Sequence, residues 1–250
     1  MTGALTVREL RGRTELALTP PLARAVWGED DGPEDPVLLQ VVQRVGGLVA
    51  GAVDPQGQVW AYLVGLPTAR ADTQHSHRLG VHPAVRRQGL GERLKRFQQA
   101  WCLEREITRV TWTFDPLLLA NAHLNIHRLG AVAVAYLPNY YGEMGGINAG
   151  VPSDRFEVVW PLGGAHTHAP WPTGAAVDPL RDDLPADLPG ALAVGVPRDY
   201  YRLLREDPAL ALEWRQRSAP LFSRLFQAGH TLVDVDLSRG QYLFRREAAC

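Results

Sequence analysis

Arg86, Gly89 and Gly91 stand three and two residues apart within VHPAVRRQGLGERLKRF, the stretch from Val81 to Phe97. An apolar, β-branched segment ends there and a helical pattern begins, and that junction suits the binding of an anion. The first turn of a helix presents unpaired N–H groups and a partial positive charge. Gly89 and Gly91 keep Cβ atoms away from those amides, and Arg86 or Arg87 can add a charge-assisted contact. A polyanion lying between them also explains why basic side chains occupy an entrance that usually favours acidic ones. The plainer alternative is a tight strand-to-helix turn that needs glycine for packing.

Two further sets of residues carry chemical potential. QHSHRLGV holds His75 and His77, whose side chains titrate near neutrality and can serve as general bases. YLPNYYGEMGG supplies Tyr136, Tyr140 and Tyr141, which are hydroxyl acids or aromatic walls for a pocket. The pairs His75/His77 and His166/His168 each have H-x-H spacing without evident Cys or carboxylate partners, so no metal site is expected. Asp234 and Asp236 in DVD read as the solvated acidic face of a strand.

These residues need elements to position them. LTVREL (residues 5–10) alternates as a strand, residues 15–27 carry helical spacing, and Pro36 suits the first turn of a helix through Val45. GLVAGAV and QVWAYLVGL, joined by the turn sequence DPQG, form an antiparallel hairpin. Residues 74–81 make the next strand, with His75, His77, Leu79 and Val81 on one side and Ser76 and Arg78 on the other. The following helix buries Leu90, Leu94, Phe97 and Trp101. RVTWTF is a strand, residues 121–129 a helix stopped by Gly130, and AVAVAYL and RFEVVWPL two more strands. Residues 163–190 are dense in Pro, Gly, Ala and Asp without periodicity and read as a linker or strap. A strand at 191–196, helices within 197–228 with a kink at Pro220, and the strands TLVDVDL and QYLFRR complete the chain. This tail repeats the β-α-α-β-β order of the N-terminal third.

The segment LGVHPAVRRQGLG, with Arg86-x-x-Gly89-x-Gly91 after a V-x-P strand end, resembles the acyl-CoA pyrophosphate loop of the GNAT superfamily of N-acyltransferases. The element order through Leu162 resembles that fold as well. The resemblance implies an α/β (α+β) fold class, with a mixed, mostly antiparallel sheet flanked by helices and a C-terminal β-α-α-β-β extension. It sets a GNAT domain at residues 1–162, the strap at 163–190 and the extension at 191–250.

By the same resemblance, the amides of Arg87, Gln88, Gly89, Leu90, Gly91 and Glu92 bind the CoA pyrophosphate, with Arg86 adding a charge-assisted contact. Leu79, Gly80 and Val81 pair with pantetheine as an added strand, and an N–H near Val81 can polarise the thioester carbonyl. Asn121 matches an asparagine that commonly contacts the cofactor, with Asn125 one turn later on the same face. His75, six residues before Val81, occupies a position where several GNAT enzymes carry a glutamate base. Many members use a tyrosine to protonate the leaving thiolate, but the corresponding position here is Ile126. Tyr141 is the substitute, although a thiol of pKa ~8.5 is a tolerable leaving group without an acid.

The donor implied is acetyl-CoA or another acyl-CoA such as succinyl-CoA, with no metal. NAGVPSDRFEVVWPL and NYYG resemble a subgroup with a C-terminal extension, some of it associated with N-acylamino acids. That favours a small amine such as an amino acid as acceptor, with Arg155 as a carboxylate clamp or an ordinary surface arginine. The alternatives are a CoA-binding module without turnover and a protein N-acetyltransferase.

Composition bounds the partners. The 250 residues carry a net charge of −1, which gives no global field for nucleic acid or an anionic membrane. Lys95 is the only lysine among 26 Lys and Arg residues, so arginine richness alone does not mark phosphate sites. Two cysteines, Cys102 and Cys250, and no signal-like apolar start point to a reducing, cytoplasmic setting. Trp214, Leu221, Phe222, Leu225 and Phe226 line one helix as core or, if exposed, as a homodimer surface.

Overall fold

A computed structural model describes residues 4–30, 32–145, 150–164, 168–183 and 187–246. These fall into two compact units, one ending at Trp112, to which Gly145 also belongs, and one starting at Thr113. The strands form a mixed, mostly antiparallel arrangement with helices around it.

In the first unit, strands β1 (Thr6–Glu9), β2 (Leu48–Val53), β3 (Val59–Pro67), β4 (Thr73–Val81) and β5 (Arg109–Phe114) lie side by side in that order, with Thr113 and Phe114 of β5 counted in the second unit. The first four pair antiparallel, and β5 joins β4 in parallel. The helical segment expected at residues 15–27 is two helices, α1 (Gly12–Leu16) and α2 (Thr19–Trp27). Pro20 and Pro21 explain the break, because proline lacks the N–H that a continuing helix needs and suits a new first turn. Helix α3 (Pro36–Arg44) starts with Pro36 behind an Asp35 cap, whose side chain accepts the Val37 N–H at 2.7 Å. Leu16, Leu22, Leu39 and Val42 from these helices meet Val49, Val53, Val59 and Val64 of the hairpin to form the core.

Helix α4 (Leu90–Leu103) buries Leu90, Leu94 and Trp101 as its spacing predicts, with Phe97 half-buried. It also buries Lys95 and Gln98, against the polar side of β4. Lys95 Nζ donates to Ser76 Oγ at 2.8 Å and stands 3.7 Å from the Trp112 ring centre, while Gln98 donates to Gln74 at 2.7 Å. Burial pushes the Lys95 ammonium from an ordinary 10.5 down to about 7. Below pH 7 it is charged in the folded and unfolded chain alike and the burial penalty is fully felt. Between about 7 and 10.5 the unfolded chain binds the extra proton, so stability should rise with pH at up to about 1.4 kcal/mol per unit. Urea midpoints at pH 7.5 and 9 should show that rise in the wild type and a flatter line in Lys95→Met.

In the second unit, β6 (Val132–Leu137), β7 (Arg155–Pro161), β8 (Ala191–Gly195), β9 (His230–Asp236) and β10 (Gln241–Arg246) run in the order β7-β6-β9-β10-β8. The last third therefore extends a sheet, with β9 pairing to β6 at Ala133 and Leu232. Its topology differs from that of the N-terminal third. β8 pairs with the second strand of its hairpin, whereas β1 pairs with the first, so equal element order does not mean a repeated fold. The tail's helices are α6 (Tyr200–Glu206) and α7 (Pro208–Gln227), with Pro220 inside the latter.

Leu221, Phe222 and Leu225 of α7 are buried, and Phe222 packs on Phe156 and Phe244 at ring distances of 4.9 and 5.9 Å. That helix face is core, so it gives no support to a homodimer. The exposed apolar side chains Val37, Leu38 and Val41 lie on α3 instead. Among the described residues no helix is long and apolar enough to cross a membrane.

Candidate functional site

The centre of the first unit's site is a strand that loses a neighbour. β4 and β5 pair only at Thr73↔Arg109, Gln74↔Val110 and His75↔Thr111. Beyond His75, β4 continues to Val81 with its strand partners, among the described residues, on β3, which makes its other edge a candidate for an extended ligand. A bulge helps to shape this region. The β3–β4 register shifts where Val64 pairs with Arg78 and Gly65 with Ser76, which leaves His77 as the extra residue.

The bulge overturns the simple alternation expected for β4. His77 and Arg78, neighbours in sequence, both reach the Glu34 carboxylate, each at 2.9 Å. Glu34 lies in the acidic loop before α3, where nothing in the sequence ties it to β4. Burial alone would raise its carboxyl, but the His77 hydrogen bond and the Arg78 charge hold it below the usual range. Gly80 has a packing reason as well, since a Cβ there would stand 2.8 Å from Trp27 and 3.1 Å from Tyr62.

His75 sits half-buried at the last β4–β5 pair, with Nδ1 3.2 Å from Thr111 Oγ1. Its pKa is lowered, first by burial and then by the nearby His77 and Lys95 charges. The ring is therefore neutral at physiological pH, the form a general base requires.

From Val81 the chain enters a 3₁₀ turn (Pro83–Val85), anchored by the fully buried Val85 and by the His82 ring, which accepts the Ala84 N–H. Arg86 to Gly89 are exposed, and Leu90 is buried as the first residue of α4. After an extended Arg86, Arg87 and Gly89 take positive φ values of 65° and 71°. No side chain caps α4, so its first amides are offered to whatever binds at the entrance. The Gly89 Cβ position faces open space, and its positive φ is one that glycine adopts without strain. Gly91 and Glu92 complete the first turn of α4.

The second unit holds the remaining sequence candidates. Helix α5 (Leu119–Ala122) runs into a π-helical stretch, His123–Arg128. Asn121 is the third residue of this helix, where the sequence placed it at the start, and Asn125 is buried and donates to Asn121 Oδ1 at 3.3 Å. Ile126, in the position of the usual tyrosine, is fully buried. Tyr141 is exposed, with its hydroxyl 3.1 Å from Thr113 Oγ1. Tyr136 is a poorer acid, because burial and a 2.6 Å hydrogen bond to Asp154 push its pKa far up. Arg155 is buried and not a surface residue. It donates to the Asp154 carbonyl at 2.7 Å and lies over the Tyr141 ring at 5.1 Å.

Comparison with known proteins agrees with this geometry. Residues 16–130 match the model of the Acetyltransferase (GNAT) family. No curated protein sequence matches the chain significantly. Among solved structures, the ribosomal-protein-S18-alanine N-acetyltransferase of Escherichia coli aligns at 18% identity and TM-score 0.53, over 67% of this chain and 99% of its own. An aminoglycoside 6'-N-acetyltransferase complexed with coenzyme A aligns at 16% and 0.52, over 64% and 98%. A phosphinothricin acetyltransferase of Sinorhizobium meliloti in complex with acetyl-CoA aligns at 17% and 0.50, over 64% and 89%. Such distant likeness establishes the fold, and the matched family model covers both the split strand and the helix entrance that follows it. Through residues 16–130 the chain belongs to the GNAT acetyltransferase family.

Proposed function

We propose that this acetyltransferase moves an acetyl group from acetyl-CoA to the amine of a small molecule, with an amino acid as the favoured acceptor class. The observation that carries the reading is the end of β4–β5 pairing at His75↔Thr111, on the strand that leads to the uncapped entrance of α4. The residues fit the donor. An extended pantetheine can add to the free edge at Leu79, Gly80 and Val81, and a pyrophosphate can take the amides of Arg87 to Glu92 with Arg86 beside them. The acyl-CoA supplies the activated carbonyl.

The chain's own groups supply the rest. An amine must be neutral to attack, and His75 accepts its proton directly or through a water. An N–H near Val81 polarises the carbonyl that is attacked, which favours the charge developing on its oxygen. Tyr141 is the candidate acid for the thiolate, and Asn121 and Asn125 are candidate donor contacts. The near-neutral net charge of −1 gives no overall field to attract a basic protein, which supports a small acceptor over a protein. The relatives themselves act on both kinds, a ribosomal protein in one case and aminoglycoside or phosphinothricin in others.

The test is thiol release from acetyl-CoA and succinyl-CoA with a panel of free amino acids, small amines and N-terminal peptides. Turnover with an amino acid or small amine supports the proposal, and turnover with peptides alone replaces it with protein N-acetylation. CoA binding without any turnover favours a binding module, consistent with the buried Ile126 in the usual acid position. His75→Ala should lower kcat by about 100-fold, within the range of a lost general base, and remove the acidic limb of the pH profile. That limb should lie below the ordinary histidine value, the direction in which burial shifts His75.

A further inference from the structure

Outside the acetyl-transfer machinery, the second unit gathers three side chains from distant parts of the sequence. His127 ends the π-helical stretch, His168 lies in the Pro/Gly-rich strap, and Asp234 is on β9. His127 Nδ1 is 2.7 Å from Asp234 Oδ1, and His168 Nδ1 is 3.5 Å from Oδ2 of the same carboxylate. The two imidazoles stack with ring centres 4.3 Å apart, and His123 stacks on His127 at 4.7 Å. The sequence expectation that His168 has no ligating partners fails, because the fold brings in residues from two other elements. The reading of Asp234 as a solvated strand residue fails too, since it is only 2% exposed.

We infer that His127, His168 and Asp234 form a binding site for a divalent transition metal of the zinc type. The donor set carries the argument. Two imidazole nitrogens and a carboxylate suit a borderline cation such as zinc, cobalt or nickel, whereas calcium and magnesium need many more oxygens. The three donor atoms all lie within 4.8 Å of one another. Ligands held about 2.0–2.1 Å from a tetrahedral ion sit roughly 3.3 Å apart. His168 Nδ1 lies 3.5 Å from Oδ2 and His127 Nδ1 2.7 Å from Oδ1 of the one Asp234 carboxylate, so an ion between them requires the His127 contact to open by about 0.6 Å and one imidazole to turn out of the stack, so that both in-plane lone pairs meet it.

The surroundings fit as well. Asp234 Oδ1 also accepts the Val235 N–H at 2.8 Å, which fixes the carboxylate orientation in the way outer contacts fix metal ligands. Asp234 forms the buried floor, while His127 and His168 are 34% and 50% exposed and leave a route for the ion from solvent. A fourth position remains for water or a small ligand. The metal latches the strap at His168 to β9 and the π-helical stretch, so binding adds to the stability of the folded chain.

The experiment uses the full chain, stripped with EDTA and titrated with Zn²⁺ against a chromophoric chelator, and separately with Co²⁺ for its visible absorption. The expected result is one equivalent of zinc bound, a low-coordinate cobalt spectrum, and a melting temperature raised by zinc. His168→Ala, at a half-exposed strap position that should fold normally, should weaken binding by at least about 10-fold and abolish the zinc-dependent shift. Asp234→Asn should do the same, and circular dichroism of the metal-free variant shows whether it is folded. Absence of stoichiometric zinc binding would overturn the proposal. So would binding of equal affinity in the wild type and His168→Ala, which would place the ion on other groups.

Discussion

Replacing Gly89 with aspartate should raise the dissociation constant for CoA by at least about 100-fold while leaving the protein folded. The electrostatic step is direct. A carboxylate at the entrance of α4 stands about 5 Å from a bound pyrophosphate and repels it by roughly 3 kcal/mol per charge at an effective dielectric of 20, before salt screening. It also offers itself to the same first-turn amides. The folding cost is small because a Cβ at residue 89 meets nothing within 4 Å. The remaining penalty is the φ of 71°, a conformation aspartate tolerates better than most residues, at about 1 kcal/mol. Gly89→Asn is the control, with the same shape and backbone strain but no charge, and should lose affinity by about 10-fold or less. Calorimetric CoA titrations at two salt concentrations, beside melting curves, separate the effects. Equal losses in both variants would make backbone strain the cause, and no loss in either would remove the pyrophosphate from this helix entrance.

Much of that loop is legible in the sequence because its signals are local. Alternating apolar runs give the strands, Pro36 gives the start of α3, and the Arg86-x-x-Gly89-x-Gly91 spacing at a strand-to-helix junction gives the candidate anion site. What escapes are features that depend on register or on distant partners. One extra residue at His77 redirects β4, and with it Glu34 becomes a partner of His77 and Arg78. Lys95 is buried because Ser76 and Trp112, on two strands distant in sequence, face it. DVD looks like a solvated strand end, yet Asp234 is buried because the helix and strap that cover it come from elsewhere in the chain. The break between α1 and α2, by contrast, was available from Pro20 and Pro21, and helical spacing across them obscured it.

Arg215 carries the largest stability prediction, and it shows why the last third matters to what precedes it. This residue of α7 is 1% exposed and donates to Asp115, just after β5, at 2.6 Å. It lies 3.9 Å from Asp154, which also accepts the Tyr136 hydroxyl and the Asn139 N–H. Burial disfavours the guanidinium charge, but the Asp115 charge outweighs it and raises the pKa. With Arg155 3.9 Å from Asp115, the cluster balances two cations against two carboxylates. Arg215→Met leaves two buried carboxylates facing one arginine, and uncompensated buried charge typically costs about 3–5 kcal/mol. Urea unfolding monitored by tryptophan fluorescence should register that loss. Adding Asp115→Asn should recover part of it, since the orphaned charge and not the missing side-chain volume is the main cost. A double-mutant cycle that finds the two losses simply additive would mean that Arg215 contributes through packing against Tyr200, whose ring lies 5.0 Å from its guanidinium, and not through the ion pair.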